Sequence, residues 1–379
     1  MYLSDKLKLD REYVEENQRI LFETINHIES TSEAYRILAK KRQDSLVKPS
    51  GSLGKLEDIS IKLAGIYREE SYLTHPKVIL AFAGDHGIHE EGISGQPQEV
   101  TRLAFANFAK GICSVGVLSK YIGNDLVPVD VGINSDEEIP GIINRKVKKG
   151  TANFTKGPAM TREEAIQSMV IGIEYANQYI NQGYKVVGLG EMGICNTSPS
   201  SAIVAVVTGS RVEEVTGLGA GSAPGMYQKK IQMIKKGIEI NKPDKNDPID
   251  ILAKVGGLEI GAIVGVILTC ASRKIPVVLD GFISYAAALL AQGLSPISTE
   301  YMLASHKSAE PASCLALAKL GLDPCLDMNM RLGEGSGTAM FFNIIECANE
   351  VYTHVASFEG AAVPETGLEE KVKGEPHGL

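Results

Sequence analysis

Four short runs of apolar residues, each closed by a glycine and an acid, constrain the fold of this chain more than anything else in it. Val78-Ile79-Leu80-Ala81-Phe82-Ala83 leads into Gly84-Asp85-His86-Gly87, and Leu126-Val127-Pro128-Val129 into Asp130-Val131-Gly132. Val186-Val187-Gly188-Leu189 leads into Gly190-Glu191-Met192-Gly193, and Pro276-Val277-Val278-Leu279 into Asp280-Gly281. Runs of this length without polar alternation suit strands buried on both faces, as in parallel sheets. Helical spacing fills the intervals, over 163–182, 261–272 and 284–292. The pattern predicts an α/β fold: a Rossmann-like, mostly parallel sheet with flanking helices, and ligands at the carboxyl ends of the strands.

The chain before Lys77 reads differently. Val14, Ile20, Leu21, Ile25 and Ile28 keep helical spacing, Ser30-Thr31-Ser32-Glu33 offers a capping-box start for a second helix, and a third follows the break at Pro49–Gly54. Residues 338–356 predict a long helix. Residues 357–379, rich in Gly, Pro and Glu, read as a loosely held tail.

Composition narrows the function classes. The net charge of −8 disfavours a broad nucleic-acid footprint but leaves room for a local cationic pocket. The six cysteines are scattered and form no CxxC pair, which points away from zinc and disulfide frameworks and towards buried thiols in a reducing cytoplasm. The charged segment Met1–Arg11 has no apolar stretch of signal-peptide type. The longest apolar run, Ile260–Ala271, is too short to span a bilayer and reads as a buried helix.

Several loops carry chemistry. Arg331-Leu332-Gly333-Glu334-Gly335-Ser336-Gly337 sets one carboxylate between two glycines. Glycine permits backbone angles and close approaches that other residues resist, so such a carboxylate can meet a ligand as a general base; a solvated acidic turn is the plainer reading. Gly190–Ser198 follows a strand and enters a helix, the setting of a phosphate cradle or of an ordinary turn capped at Thr197 or Ser198. A further turn, Gly217-Leu218-Gly219-Ala220-Gly221, precedes a basic helix containing Lys229, Lys230, Lys235 and Lys236, any of which can face a phosphate or plain solvent. Neither a Walker A pattern nor GxGxxG occurs. Asp85, His86, Asp130, Asp280 and His306 invite a metal reading, yet they share no ligand spacing, so no metal is expected.

Taken in order, Lys48–Gly54, Phe82–Gly87, Gly157–Thr161, Gly190–Thr197, Lys254–Gly257, Leu279–Phe282, Ser305–Glu310 and Arg331–Gly337 resemble the nicotinate-nucleotide–dimethylbenzimidazole phosphoribosyltransferase family of cobalamin lower-ligand activation. Each motif is weak alone, but the ordered set is specific. The resemblance implies transfer of phosphoribose from nicotinate mononucleotide to 5,6-dimethylbenzimidazole or a related azole, purine or phenol. The products are an α-riboside 5′-phosphate and nicotinate, and no cofactor is required. It implies Glu334 as catalytic base. It places the nucleotide's phosphate and ribose at Glu191, Gly193, Ile194, Asn196, Thr197, Lys230, Asp280 and Ser308, and the base at Ser94, Gln96 and Leu332. Cys195 departs from the family's usual glycine or alanine.

The resemblance further implies a small helical domain of residues 1–72 joined by 340–379, and a catalytic domain of 73–339. A homodimer, or a heterodimer with a paralogue, is implied as well. The alternatives are a metal-dependent phosphoesterase using Asp85, His86, Asp130 and His306, and a non-catalytic nucleotide-binding subunit of a paralogue pair; retention of Glu334 weighs against the latter.

Overall fold

The structure, a computed structural model, describes residues 16–219 and 225–364. Its contacts divide the chain into two units, with breaks at Ser30/Thr31, Thr74/His75 and Phe341/Phe342.

The larger unit is built on six parallel strands: β1 (Lys77–Gly84), β2 (Asp125–Gly132), β3 (Ile143–Asn144), β4 (Val186–Met192), β5 (Val277–Leu279) and β6 (Met302–Ala304). Their order is β3-β2-β1-β4-β5-β6. The parallel α/β sheet is thus the one the apolar runs predict. Every residue of β1 is buried, as expected for the central strand of a sheet covered on both faces. From β1 the chain proceeds to β2 on one side, while β4 lies on the other. The β1/β4 boundary is therefore a switch point, where a crevice opens beyond the strand ends. The edge strands β3 and β6 escaped the sequence reading because two or three residues carry no periodicity.

Helices in chain order are α1 (Glu16–Asn26), α2 (Glu33–Asp44), α3 (Lys55–Tyr67), α4 (Val100–Lys110), α5 (Ser114–Ile122), α6 (Arg162–Asn181), α7 (Thr197–Thr208), α8 (Val212–Val215), α9 (Met226–Asn241), α10 (Pro248–Val255), α11 (Leu258–Ser272), α12 (Phe282–Leu294), α13 (Ser313–Leu320) and α14 (Ser336–His354). The apolar run foreseen as a buried helix is α11, buried at every position from Leu258 to Ala271. It crosses α6 at very short range. A Cβ on Gly172 would strike the backbone of Ala262, and one on Gly265 the backbone of Met169. Among the described residues no helix is long and apolar enough to cross a membrane.

α1 departs from expectation. It belongs to the larger unit, not the small one, because its apolar face, with Leu21 and Ile25 buried, packs on α6 and α11. The capping box foreseen at Ser30–Glu33 is likewise not formed: Ser32 is the N-cap of α2 but makes no side-chain cap bond.

The smaller unit holds α2, α3 and the later turns of α14. Tyr67, Tyr72 and Tyr352 stack in series, with ring centroids 5.2 and 5.8 Å apart. The Lys48–Gly54 segment folds onto Glu57, whose buried carboxylate pairs with Lys48 at 2.7 Å and accepts the Gly51 and Leu53 N–H groups. The expected tail is held at its start, where Ser357 bridges Leu46 and the Phe358 N–H reaches the Ser45 carbonyl at 2.9 Å. Residues 365–379 lie outside the described part.

Candidate active site

Loops at the carboxyl ends of β4, β5 and β6, with the Arg331–Gly337 loop, enclose a cavity of about 480 Å³. Gln96, Glu191, Gly193, Ile194, Asn196, Thr197, Asp280, Ser308, Leu332 and Glu334 all line it, so the fold brings together ten of the twelve residues singled out from the sequence. The remaining two, Ser94 and Lys230, line a smaller adjoining cavity with Gly193–Ser198 and Gly219. Ser94 therefore sits by the expected phosphate loop rather than with the expected base residues. Its hydroxyl contacts the Cys195 thiol.

Glu334 is held in the left-handed region at φ +65°, which few residues other than glycine adopt. The surrounding bonds account for this. Its N–H donates to Glu191 Oε1 at 3.3 Å. The Gly335 N–H donates to Asp280 Oδ2 at 3.1 Å, and the Gly337 and Thr338 N–H groups to Asp280 Oδ1 at 2.8 and 3.1 Å. Buried Asp280, foreseen as a nucleotide contact, thus caps the first turn of α14 with both carboxylate oxygens. The Thr338 hydroxyl adds a bond to the Leu189 carbonyl at 3.0 Å. The loop lies so close upon β4 that a Cβ on Gly190 would collide with the Glu334 carbonyl. This loop-on-strand contact requires glycine at position 190.

The Glu334 side chain is half-buried and reaches the N-terminus of α5, accepting the Val115 N–H at 3.4 Å. Burial raises its pKa, while the Val115 and Ser114 N–H groups partly offset that. The Glu191 carboxyl is pushed up to about 8 by burial, and the neighbouring Asp280 and Glu259 add to the effect. Its Oε2 accepts the Asn196 amide at 2.5 Å, which fixes the head of the Gly190–Thr197 loop. Asp280 is pushed up to about 7, burial outweighing its three N–H bonds. His306, which also lines the cavity, is driven down to about 4 by burial and is neutral at physiological pH.

The loop expected to hold phosphate comes close to neighbouring backbone at its glycines. A Cβ at Gly193 would strike the Gly84 carbonyl and crowd His86 Nε2, and the Ile194 N–H donates to Thr101 Oγ1 at 3.0 Å. α7 begins at Thr197 with Asn196 as N-cap. Lys230, on α9, is the lysine that reaches this loop: its buried Nζ donates to Thr197 Oγ1 at 2.8 Å and to the Gly217 carbonyl at 3.0 Å. Ala220 and Gly221 of the neighbouring turn lie outside the described residues. Cys195 has φ +76°, which explains why a small residue suits that position, and burial pushes its thiol up to about 11.

The five residues of the metal reading form no ion-binding group, Asp280 being taken up by the α14 amides described above. Asp85 accepts the Asn134 N–H at 2.8 Å, and His86 pairs with Glu259 at 2.8 Å. Asp130 pairs with Lys146 at 2.8 Å and accepts the Gly132 and Ile133 N–H groups. His306 Nδ1 lies 3.0 Å from Ser305 Oγ. Among the described residues no cluster of three or more His, Cys, Asp or Glu is arranged to hold a metal ion.

Sequence reasoning assigned no role to Glu310 or Arg331, both of which line the cavity. Nothing in a linear pattern separates either from a solvated charge. The α5 N-terminus beneath Glu334 gave no signal because the partners are 219 residues apart.

A half-buried carboxylate in a cavity at the switch point of a parallel sheet, next to a helix N-terminus and a buried lysine, is the setting of an enzyme active site. A family profile described as phosphoribosyltransferase matches residues 28–363, and the chain belongs to that family. The nicotinate-nucleotide–dimethylbenzimidazole phosphoribosyltransferase of Clostridioides difficile (strain 630) is 55% identical over 320 residues, covering 84% of this chain and 92% of the relative. The enzyme of the same name from Desulforamulus reducens is 50% identical, covering 91% and 99%. A crystal structure of the Thermus thermophilus enzyme of that name superposes with a TM-score of 0.83 at 34% identity, covering 88% of this chain and 99% of that one.

Proposed function

We propose that this enzyme transfers phosphoribose from nicotinate mononucleotide to 5,6-dimethylbenzimidazole or a related azole, purine or phenol, for cobamide synthesis. The observation that carries the reading is the Glu334 carboxylate, fixed in the cavity wall with a raised pKa. The azole nitrogen attacks ribose C1′ from the face opposite nicotinate. The C1′–N bond to the pyridinium breaks and its electron pair leaves with nicotinate, whose nitrogen departs neutral without a general acid. The azole N–H proton passes to Glu334. One displacement inverts the β linkage to α.

The phosphate is assigned to the Gly193–Thr197 loop with Lys230, where a helix N-terminus and a buried ammonium favour an anion. The ribose lies over Glu191, Asn196 and Ser308, and the base between Gln96 and Leu332. Of the described residues lining the larger cavity, the acids are Glu191, Asp280, Glu310 and Glu334, and Arg331 is the one permanent cation. Arg331 is therefore assigned to the nicotinate carboxylate, as the permanent positive charge of that cavity.

The enzyme is placed in the cytoplasm and is assigned a dimer, with itself or with a paralogue. Exposed Leu103, Ile112, Val117 and Tyr121 on and between α4 and α5 offer an apolar face for the partner. Incubation with nicotinate mononucleotide and a panel of benzimidazoles, purines and phenols, read by mass spectrometry, tests the reaction. Absence of every ribotide rejects it.

A further inference from the structure

Glu310 lies in the loop before α13, buried to 8% exposure, and lines the larger cavity against Gly219, which lines both. Its Oε1 accepts the Gly219 N–H at 3.2 Å, while Oε2 is buried without a hydrogen-bond partner among the described residues. The Gly217 backbone packs so tightly on this carboxylate that a Cβ there would overlap Oε2. The Gly217 carbonyl is also one of the two acceptors of Lys230 Nζ, the other being Thr197 Oγ1 at the start of α7. Glu310, the Gly217–Gly219 turn, Lys230 and Thr197 thus form one chain of contacts.

A carboxylate next to a phosphate site is an electrostatic cost unless it serves another purpose there. A buried acid left one bond short is a further cost, and such groups persist where position matters. We propose that Glu310 is a positioning residue for the phosphate end of the mononucleotide, holding the Gly217–Gly219 turn and the Lys230 ammonium where that phosphate binds. The proposal rests on the assignment of the phosphate to the Lys230 loop.

The groups facing Lys230 are limited. Burial lowers its pKa; Glu310 from the α13 side and Cys195 from the phosphate loop oppose this. On α9 itself, Lys229 extends towards Gly92. Glu310 is therefore the carboxylate whose charge opposes the lowering of the Lys230 pKa.

The test measures kcat and KM for nicotinate mononucleotide between pH 6 and 9.5 in the parent, Glu310→Gln and Glu310→Asp. For Glu310→Gln, KM rises about tenfold near neutrality with kcat within about twofold, and the alkaline limb of the kcat/KM profile moves down by about one pH unit or more. Glu310→Asp keeps the charge, so its alkaline limb stays at the parent's pH; if the Gln variant does not fold, a displaced limb in the Asp variant rejects the idea. An unchanged KM, a lower KM through relief of repulsion, or a KM raised by one factor at every pH would each overturn it. A parent that shows no turnover rejects the proposed reaction instead. In that case calorimetric binding of nicotinate mononucleotide to the same three proteins still judges Glu310.

Discussion

Replacing Glu334 by Gln removes one thing from the site, the capacity to take a proton. The amide is close in size, can still accept the Val115 N–H, and leaves intact the backbone bonds from Glu334 and Gly335 to Glu191 and Asp280. A positioned general base contributes roughly 10²–10⁴-fold, or about 2.7–5.5 kcal/mol of barrier. Glu334→Gln should therefore lower kcat by about that factor with little change in KM for nicotinate mononucleotide and an unaltered thermal melt. Glu334→Asp keeps the charge but withdraws it by about 1.5 Å, and a displacement of that order costs about 10²-fold. The pH profile gives a second readout. Only the ionised carboxyl accepts a proton and its pKa is raised, so parent kcat/KM climbs with pH through that pKa and then levels. The Gln variant should lose this acid limb. Steady-state kinetics with 5,6-dimethylbenzimidazole from pH 5 to 9 decides the matter. A Gln variant within about threefold of the parent, or one that retains the acid limb, would refute the assignment.

Protons held by Glu191 and Asp280 make stability pH-dependent. Unfolded, the two carboxyls ionise near 4.5 and 3.8; folded, near about 8 and about 7. Between these limits the folded state binds more protons, so stability should fall as pH rises, by on the order of a few kcal/mol, and level off above about pH 8. Urea unfolding at pH 5, 6.5 and 8 measures the slope, and Glu191→Gln should reduce it; an unaltered slope contradicts the burial argument. Arg331→Gln should lower the preference for nicotinate over nicotinamide mononucleotide about fivefold, the scale of a partly exposed ion pair. Equal loss with both substrates would point to a structural role. Cys195→Gly should be neutral or stabilise by up to about 1 kcal/mol, since it relieves a left-handed residue while adding chain entropy. A loss of more than about 1 kcal/mol in denaturant would show that the thiol contact with Ser94 dominates.

What the sequence disclosed follows from how each feature is encoded. The central strands announce themselves because burial on both faces demands unbroken apolar runs, and Glu334 because glycines flank it. Lys230 could be placed only through family resemblance, since three neighbouring lysines look the same. Features joined across the chain left no local mark. That Asp280 also caps amides 55 to 58 residues later is invisible at its own position. That Gly190 lies beneath a loop arriving 144 residues later is equally hidden. α1 looked like part of a helical domain because amphipathicity says that a face is covered but not by what.

The order in which a ribosome delivers these parts matters. All six strands and the Gly190–Thr197 loop have been made by residue 304, yet Glu334 and the amides that pin its loop to Asp280 come only with residues 334–338. On the proposed mechanism, a chain that stops short of them carries the strand-end crevice without its base.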